Sequence, residues 1–356
     1  MREGYKLSAH LQGSAARIPV ERSAEIRRLI ARDSAAARHQ YDLSGADLSG
    51  LDLSGADLSG VCLDDADLTG TNFAGANLRD AVLAHAHMRH SLLDGADLSG
   101  ANLGKADLVN ASLIKATLRK AVLAGADLVF ANFSGADLEG VDLSQAKLGS
   151  TDFTAFTAPK LLAMKLTLRG LNARLAQLRK AKFLHCDLRQ ADFTSANLEG
   201  ALFLNCNLEG SNFAGASMKK AVFVKSSHLA NATLAGADLT AANLRETDLE
   251  GADLAGAVLT GADFSRCNLA GAILVNARAC GARFVAANLA GADLSGGSFA
   301  GADLSRADLR GADLSHTSAY EANFSRVRHD QHPRRRGMQL TRMRYLPLYR
   351  PPEPPS

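Results

Sequence analysis

Aspartates recur at regular intervals between residues 41 and 150, and they are the side chains that could most readily do chemistry in this sequence. Carboxylates serve as general acids and bases, as ligands for hard cations, and as charged surfaces for a basic partner. Two sets of these aspartates are spaced by multiples of twenty residues. The first set is Asp47, Asp67, Asp107 and Asp127, and the second is Asp57, Asp97 and Asp137. Because aspartate belongs to a short motif that repeats throughout, no single one marks a catalytic site.

Histidine and cysteine also cluster. The stretch AHAHMRH places His85, His87 and His90 close enough to bind a metal ion, although we expect solvated surface residues here. Cys186 and Cys206 are twenty residues apart and allow two interpretations, a redox pair or two buried thiols in place of alanine, and the second is favoured. There is no phosphate-binding glycine loop, no metal-ligand motif and no nucleophile motif in the sequence. The sequence therefore predicts a protein that is not an enzyme and that uses no metal or cofactor.

A five-residue repeat organises most of the chain. A large apolar residue recurs every five positions from Leu43 to Phe153, and a small residue, usually Ala, precedes it by two positions. A period of five would scatter the apolar residues around a helix and would alternate them between the two faces of a strand. It fits a coil that turns a corner every five residues, with the large and small residues inward and the other three outward. Gly, Ser, Asp and Asn at the corners tolerate the tight turns.

This repeat, A-(D/N)-(L/F)-x-x, resembles that of the pentapeptide-repeat proteins over about residues 41–325. The resemblance implies an all-β fold, a right-handed quadrilateral β-helix with four pentapeptides in each twenty-residue coil. Phe183, Phe203 and Phe223 stand twenty residues apart, so we expect their rings to stack from coil to coil. On such a coil the two sets of aspartates would fall on two opposite faces.

The pattern divides the chain into three regions. Residues 1–40 are predicted to form an N-terminal helical cap and tail, 41–325 the β-helix, and 326–356 a basic, Pro-rich C-terminal tail. A helix over 19–38 would cover the open edge of the first coil, which could otherwise pair with another chain.

The repeat has two irregularities. The step from Phe223 to Leu229 is six residues, which predicts a one-residue slip near 224–229. Residues 154–182 depart further and allow two interpretations. The favoured one is a loop near 154–165 followed by resumed coils, and the other is an inserted amphipathic helix with apolar residues spaced alternately by three and four.

Charge is unevenly distributed along a chain whose net charge is +3. Residues 41–150 are acidic, whereas 151–225 and the C-terminal tail are basic. A candidate basic partner-binding segment consists of Lys160, Lys165, Arg169, Arg174, Arg179, Lys180 and Lys182. The tail adds Arg334, Arg335 and Arg336, and we expect nucleic acid to bind only through this tail, if at all.

The leading functional hypothesis is a non-enzymatic scaffold that binds a protein partner of unknown identity through its outer faces, and a homodimer is compatible with it. The resemblance supplies one alternative, because the quinolone-resistance branch of the family imitates DNA and protects DNA gyrase and topoisomerase IV. The positive net charge and the basic middle of the chain count against this alternative. A second alternative, by analogy alone, is an accessory or effector module of a bacterial secretion system.

Location is predicted from what the sequence lacks. No apolar run is long enough to cross a membrane, and the first residues do not form a secretory signal. The five cysteines show no metal-ligand spacing and fit a reducing compartment. We therefore expect a cytoplasmic protein without a membrane partner.

Overall fold

A computed structural model of the chain describes residues 42–224, 227–330 and 336–339. The chain divides into two compact units, Met1–Leu178 and Arg179–Ser356. The predicted helix over 19–38 lies outside the described residues, as do Arg334 and Arg335. The described part contains strands, bridges and turns but no helix, and so it offers no helix that could span a membrane.

Each unit is internally a coil with four sides per twenty residues. In the first unit, Leu63, Leu68 and Leu78 mark three sides of one coil and are fully buried. The residue before each large apolar residue forms parallel backbone bridges with the residues twenty positions before and after it. His87, for example, bridges to both Asp67 and Asp107. Hydrogen bonds between coils therefore run along every side, while the apolar side chains fill the interior. The four-sided β-helix predicted from the repeat is confirmed.

The corners are tight turns closed by one backbone hydrogen bond. In the first described corner the amide of Ala46 donates to the carbonyl of Leu43 over 3.0 Å. Gly45, the third residue of this turn, has a φ of 65°. A positive φ at that position is the mark of a type II turn and suits glycine, which has no Cβ to clash. Gly occupies many of these left-handed corner positions, but others hold larger residues such as Phe130 and Leu175, so the coil imposes the conformation even where glycine is absent.

Four pentapeptides extend this pattern into true strands. They are β1 (Leu162–Met164), β2 (Lys182–Leu184), β3 (Leu202–Leu204) and β4 (Val222–Val224). In the second unit β2, β3 and β4 pair in parallel, with Phe183 opposite Phe203 and Phe203 opposite Phe223. The middle residue of each strand points inward and the two outer residues point outward.

Phenylalanine rings stack along the interior of each unit, as predicted. In the second unit Phe203 lies between Phe183 and Phe223, with ring centroids 5.0 and 4.7 Å apart and planes within 6° of parallel. In the first unit Phe133 stacks on Phe153 at 5.2 Å. Rings repeated at the coil spacing pack face to face along the core, and Phe203 contacts a ring on each of its two faces.

The predicted interruption at 154–165 and the alternative of a helix there are both wrong, because this segment keeps the coil. Its apparent irregularity is an exchange of positions between large and small residues. Phe156 occupies the usual place of Ala and Ala158 the usual place of Leu, and both are buried. The same exchange recurs at Leu161 and Ala163. Because the pair fills a similar volume in either order, the core stays packed while the sequence pattern disappears.

The extra residue between Phe223 and Leu229 changes the register of pairing. Asp187 pairs with Asn207 across twenty residues, but Asn207 pairs with His228 across twenty-one. The separation between paired residues then returns to twenty, as between His228 and Asp248. The additional residue is therefore absorbed within one coil, and the later coils keep their four sides.

Candidate binding surface

The candidate aspartates lie on two opposite sides of the first unit. Asp47, Asp67, Asp107 and Asp127 belong to one line of bridges, and Asp57, Asp97 and Asp137 belong to another. Each of the seven accepts a hydrogen bond from the backbone N–H two residues on, at 3.0 to 3.3 Å. This side-chain bond stabilises the corner that follows, which explains why aspartate and asparagine recur at that position. These carboxylates are first of all part of the coil.

Basic side chains also cover the middle of both aspartate rows. The ion pairs join Arg79 to Asp97 at 2.6 Å, Arg89 to Asp107 at 2.5 Å, Arg119 to Asp137 at 2.7 Å, and Lys147 to Asp127 at 3.1 Å. Partial burial opposes the ionisation of Asp97, but hydrogen bonds from Ser99 and Arg79 outweigh it, so the pKa of Asp97 is lowered. Four of the seven candidate carboxylates are thus each paired with an Arg or Lys, which reduces the negative charge that the two rows present.

The histidines and cysteines fall at positions that the coil explains. His85 and His90 stand at two successive corners, His87 lies on the side between them, and all three are exposed. Within the described ranges no group of His, Cys, Asp and Glu is arranged to hold a metal ion. Cys186 and Cys206 are free, buried thiols in places that alanine usually occupies. A hydrogen bond with Cys186 and burial together raise the pKa of Cys206, which disfavours the thiolate that redox chemistry requires.

The predicted basic segment does not form one patch. Lys160, Lys165, Arg169 and Arg174 stand at four successive corners of a coil in the first unit, and so they point in different directions. Arg179, Lys180 and Lys182 belong to the second unit, where Arg179 and Lys180 precede β2 and Lys182 is its first residue. Only these last three lie close to one another in sequence and on one part of the coil.

An aliphatic surface, which the sequence pattern had not singled out, lies on β2, β3 and β4. The outward residues of these strands form what we call the aliphatic patch: Leu184, Leu202, Leu204, Val222 and Val224. The parallel register places Leu202 beside Val222, and Leu204 beside both Leu184 and Val224. Elsewhere the outward position before the inward residue mostly holds Asp or Asn, whereas the position after it varies among Ser, Thr, Ala, Arg, Glu and Val. A cluster of half-exposed aliphatic residues on an otherwise polar wall is typical of a protein-binding surface.

Lysines border the aliphatic patch. Lys180 and Lys220 stand at the corners that precede β2 and β4, and Lys182 begins β2. Among the described residues no carboxylate lies within ion-pair distance of these three lysines, whereas neighbouring Arg179 contacts Glu199 at 3.3 Å. The patch with its basic border has the arrangement of an interface core and rim.

The sequence did contain a signal for this patch. The pentapeptides ALFLN and AVFVK carry an aliphatic residue on both sides of the inward phenylalanine, and they start at residues 201 and 221. Three consecutive apolar residues in a solenoid sequence suggest that all three side chains are buried. The two that point outward are therefore easily overlooked. The strand geometry separates them because only the central residue is buried.

A family model described as "Pentapeptide repeats (8 copies)" matches the chain in overlapping stretches that together span residues 42–154 and 167–326. The gap between the two spans coincides with the segment in which large and small residues exchange places. No curated protein sequence matches the chain significantly.

The chain is similar to several solved structures, including the following three. A pentapeptide repeat protein from the thylakoid lumen of Arabidopsis thaliana is 34% identical over 31% of this chain and 73% of its own, with a TM-score of 0.24. HetL, a pentapeptide repeat protein involved in heterocyst differentiation regulation in Nostoc sp. strain PCC 7120, is 30% identical over 76% of this chain and 88% of its own, with a TM-score of 0.20. The plasmid-mediated fluoroquinolone resistance protein QnrB1 is 21% identical over 51% of this chain and 91% of its own, with a TM-score of 0.28.

Proposed function

The chain belongs to the pentapeptide-repeat family, and from that premise we propose that it is a non-enzymatic scaffold whose aliphatic patch binds a protein partner. Its fold is the right-handed quadrilateral β-helix of that family. The repeat leaves three outward residues in each pentapeptide free to vary, and these positions form the surface on which a solenoid binds.

The observation that carries the proposal is the aliphatic patch itself. Leu202, Leu204, Val222 and Val224 face outward from two neighbouring strands, and their removal from water on binding would supply the driving force for association. The unpaired lysines at the border suit a partner with an acidic, amphipathic binding segment. Such a segment would place its apolar side chains on the patch and its carboxylates near Lys180, Lys182 and Lys220.

Imitation of DNA and protection of gyrase are less well supported as a function. That role requires an acidic surface, whereas Arg79, Arg89 and Arg119 each cover an aspartate of the two rows. The likeness to QnrB1 concerns a different protein at low identity and does not carry its activity to this chain. No feature of the described residues favours the alternative of a secretion-system module.

Site-specific photocrosslinking tests the proposal. A photoreactive residue at Leu204 of the full chain should form an adduct with one defined protein in its native cells, and the same residue at Ile273 should not. Ile273 is a matched control because it is an exposed aliphatic residue of the second unit on the side opposite the patch. The same adducts from both positions, or none from Leu204, would exclude the patch as the binding surface.

A further inference from the structure

A shallow basic recess lies on a different side of the second unit, near residue 328. It has a volume of about 680 Å³, and its floor is made of small side chains, Ala286, Ala287 and Ala290, together with Asn288. Arginines surround this floor, and they are Arg306, Arg310, Arg326 and Arg328. The coil brings them together: Arg306 and Arg326 occupy one corner of successive coils, and Arg328 lies on the adjoining side, paired with Asp308.

Arg306, Arg326 and Arg328 differ from Arg266 and Arg310 in forming no ion pair with the described carboxylates. Arg266 occupies the same corner and contacts Glu246, one coil earlier, at 3.0 Å. The same corner one coil before Arg306 holds Ala286, which carries no charge. Within the described ranges no carboxylate lies within ion-pair distance of Arg306, Arg326 or Arg328. Three guanidinium groups on neighbouring coils repel one another unless an anion lies between them.

One carboxylate, Asp308, lines the recess itself, and both it and nearby Asp330 are already engaged in hydrogen bonds. Asp308 accepts hydrogen bonds from the Nε and Nη2 of Arg310, the shortest to its two oxygens being 2.9 and 2.6 Å, and also from the backbone N–H of Arg310. Asp330 accepts the backbone N–H of Gly311 at 2.5 Å. The pKa of Asp308 is lowered, first by its bonds with Arg310 and also by the positive charge of Arg328. Asp308 is thus bonded to Arg310 and acts on Arg328 only through its charge, so the guanidinium groups of Arg306, Arg326 and Arg328 can still donate hydrogen bonds to a ligand.

We propose that this recess binds a phosphate-bearing anion through Arg306, Arg326 and Arg328. Guanidinium groups donate paired hydrogen bonds that match the oxygens of a phosphate, and a doubly charged group neutralises several arginines better than one carboxylate does. The floor of alanines leaves room for the ligand, and its volume suits a small molecule or one or two nucleotides. Among the residues that the structure describes, no aromatic side chain lines the recess, so recognition would act on the phosphate and not on a base.

Calorimetric titration of the full chain at low ionic strength, with three probes, tests the proposal. The probes are inorganic pyrophosphate, a single-stranded oligonucleotide and poly-glutamate. Binding of pyrophosphate indicates a free phosphate ligand, and binding of the oligonucleotide alone indicates a nucleic-acid backbone. Preference for poly-glutamate over both phosphate probes would overturn the proposal, because the site would then recognise carboxylates.

Matched variants locate the binding. The double substitution Arg326→Gln and Arg328→Gln should weaken phosphate binding at least about tenfold, because it removes charge-assisted hydrogen bonds. The control Arg278→Gln should leave binding unchanged. Arg278 is an exposed arginine on the side of the unit opposite the recess, and no described carboxylate forms an ion pair with it. Substitution of the tail residues Arg334, Arg335 and Arg336 by Gln should also leave pyrophosphate binding intact. The site would be refuted if the recess variant and the Arg278→Gln control lost pyrophosphate affinity equally. It would also be refuted if only the tail variant lost affinity.

Discussion

The Nε of Arg79 lies 2.6 Å from Oδ2 of Asp97, the side chain of the following coil. The other oxygen of Asp97 accepts the N–H and the hydroxyl of Ser99, at 3.0 and 2.6 Å. One carboxylate thus stabilises its own corner and binds to the neighbouring coil. This relationship changes how the aspartate rows are interpreted, because their charge is used within the fold.

Asp97 tests this structural role. Asp97→Asn keeps an oxygen that can accept the Ser99 N–H and loses only the exposed ion pair, so we expect a loss of stability below about 1 kcal/mol. Asp97→Ala also removes the corner hydrogen bond, and the loss should be larger by about 1 kcal/mol. Urea denaturation followed by circular dichroism measures both. If the two variants are equally stable, the corner bond contributes nothing.

The phenylalanine stack in the second unit should dominate local stability. Phe203→Ala removes a ring that contacts rings on both of its faces, and the cavity should cost about 3–5 kcal/mol. Phe130→Ala is the control, because Phe130 stands at a corner with 60% of its surface exposed, and the expected change is below about 0.5 kcal/mol. Denaturation midpoints that shift equally in the two variants would contradict the stacked core.

The segment 154–165 should behave as core and not as a loop. Phe156 is 3% exposed and its ring centroid lies 5.1 Å from that of Phe153. Phe156→Ala should therefore destabilise the chain by about 3 kcal/mol or more. Trypsin should leave the native protein intact at Lys160 and Lys165, since backbone held by coil hydrogen bonds resists cleavage. Rapid cleavage at either lysine, together with no change in stability in Phe156→Ala, would show that this segment is a loop outside the core.

Buried thiols predict a loss of stability in alkali. Burial raises the pKa of Cys267 to about 12 from an ordinary value of 9.0. Below pH 9 the thiol is protonated in the folded and unfolded states alike, and its contribution to stability is fully present. Between about pH 9 and 12 only the unfolded state ionises, so this contribution is lost as the pH rises. Cys267→Ala should show a smaller decrease in stability across this range.

Thiol labelling provides an independent check on the cysteines. In the native protein at pH 8, Cys62 and Cys280 should react because they are partly exposed, and Cys186, Cys206 and Cys267 should react only after denaturation. Rapid labelling of Cys267 in the native state would show that its surroundings are open to solvent. A decrease in stability with pH that is the same in Cys267→Ala and in the unmodified protein would attribute the effect to other groups.

The fold could be predicted from the sequence because its period is set by local chemistry. An inward Leu or Phe with a small residue two positions earlier, and a corner that tolerates positive φ, recur so often that few other structures satisfy them. The stacking of Phe183, Phe203 and Phe223 followed directly from their spacing. The segment 154–165 was mistaken because the pattern depends on the order of large and small residues, whereas packing depends on their summed volume.

The binding surfaces were harder to predict. Leu202 and Leu204 flank an inward Phe, and only the strand geometry shows that they face outward. The pairing of Arg79 with Asp97 spans eighteen residues and depends on side-chain conformations that the repeat does not encode. The basic segment looked continuous in the sequence, but each pentapeptide turns by one side of the coil, so Lys160 and Lys165 point in different directions.

The central claim is that a protein partner binds to the aliphatic patch, and one pair of variants tests it most directly. Affinity for the crosslinked partner should be measured for Leu202→Asp and for Ile273→Asp, with circular dichroism confirming that both are folded. Burying a carboxylate against an apolar partner is costly, so Leu202→Asp should weaken binding more than about tenfold while Ile273→Asp leaves it unchanged. Equal affinity of the two variants would contradict the account.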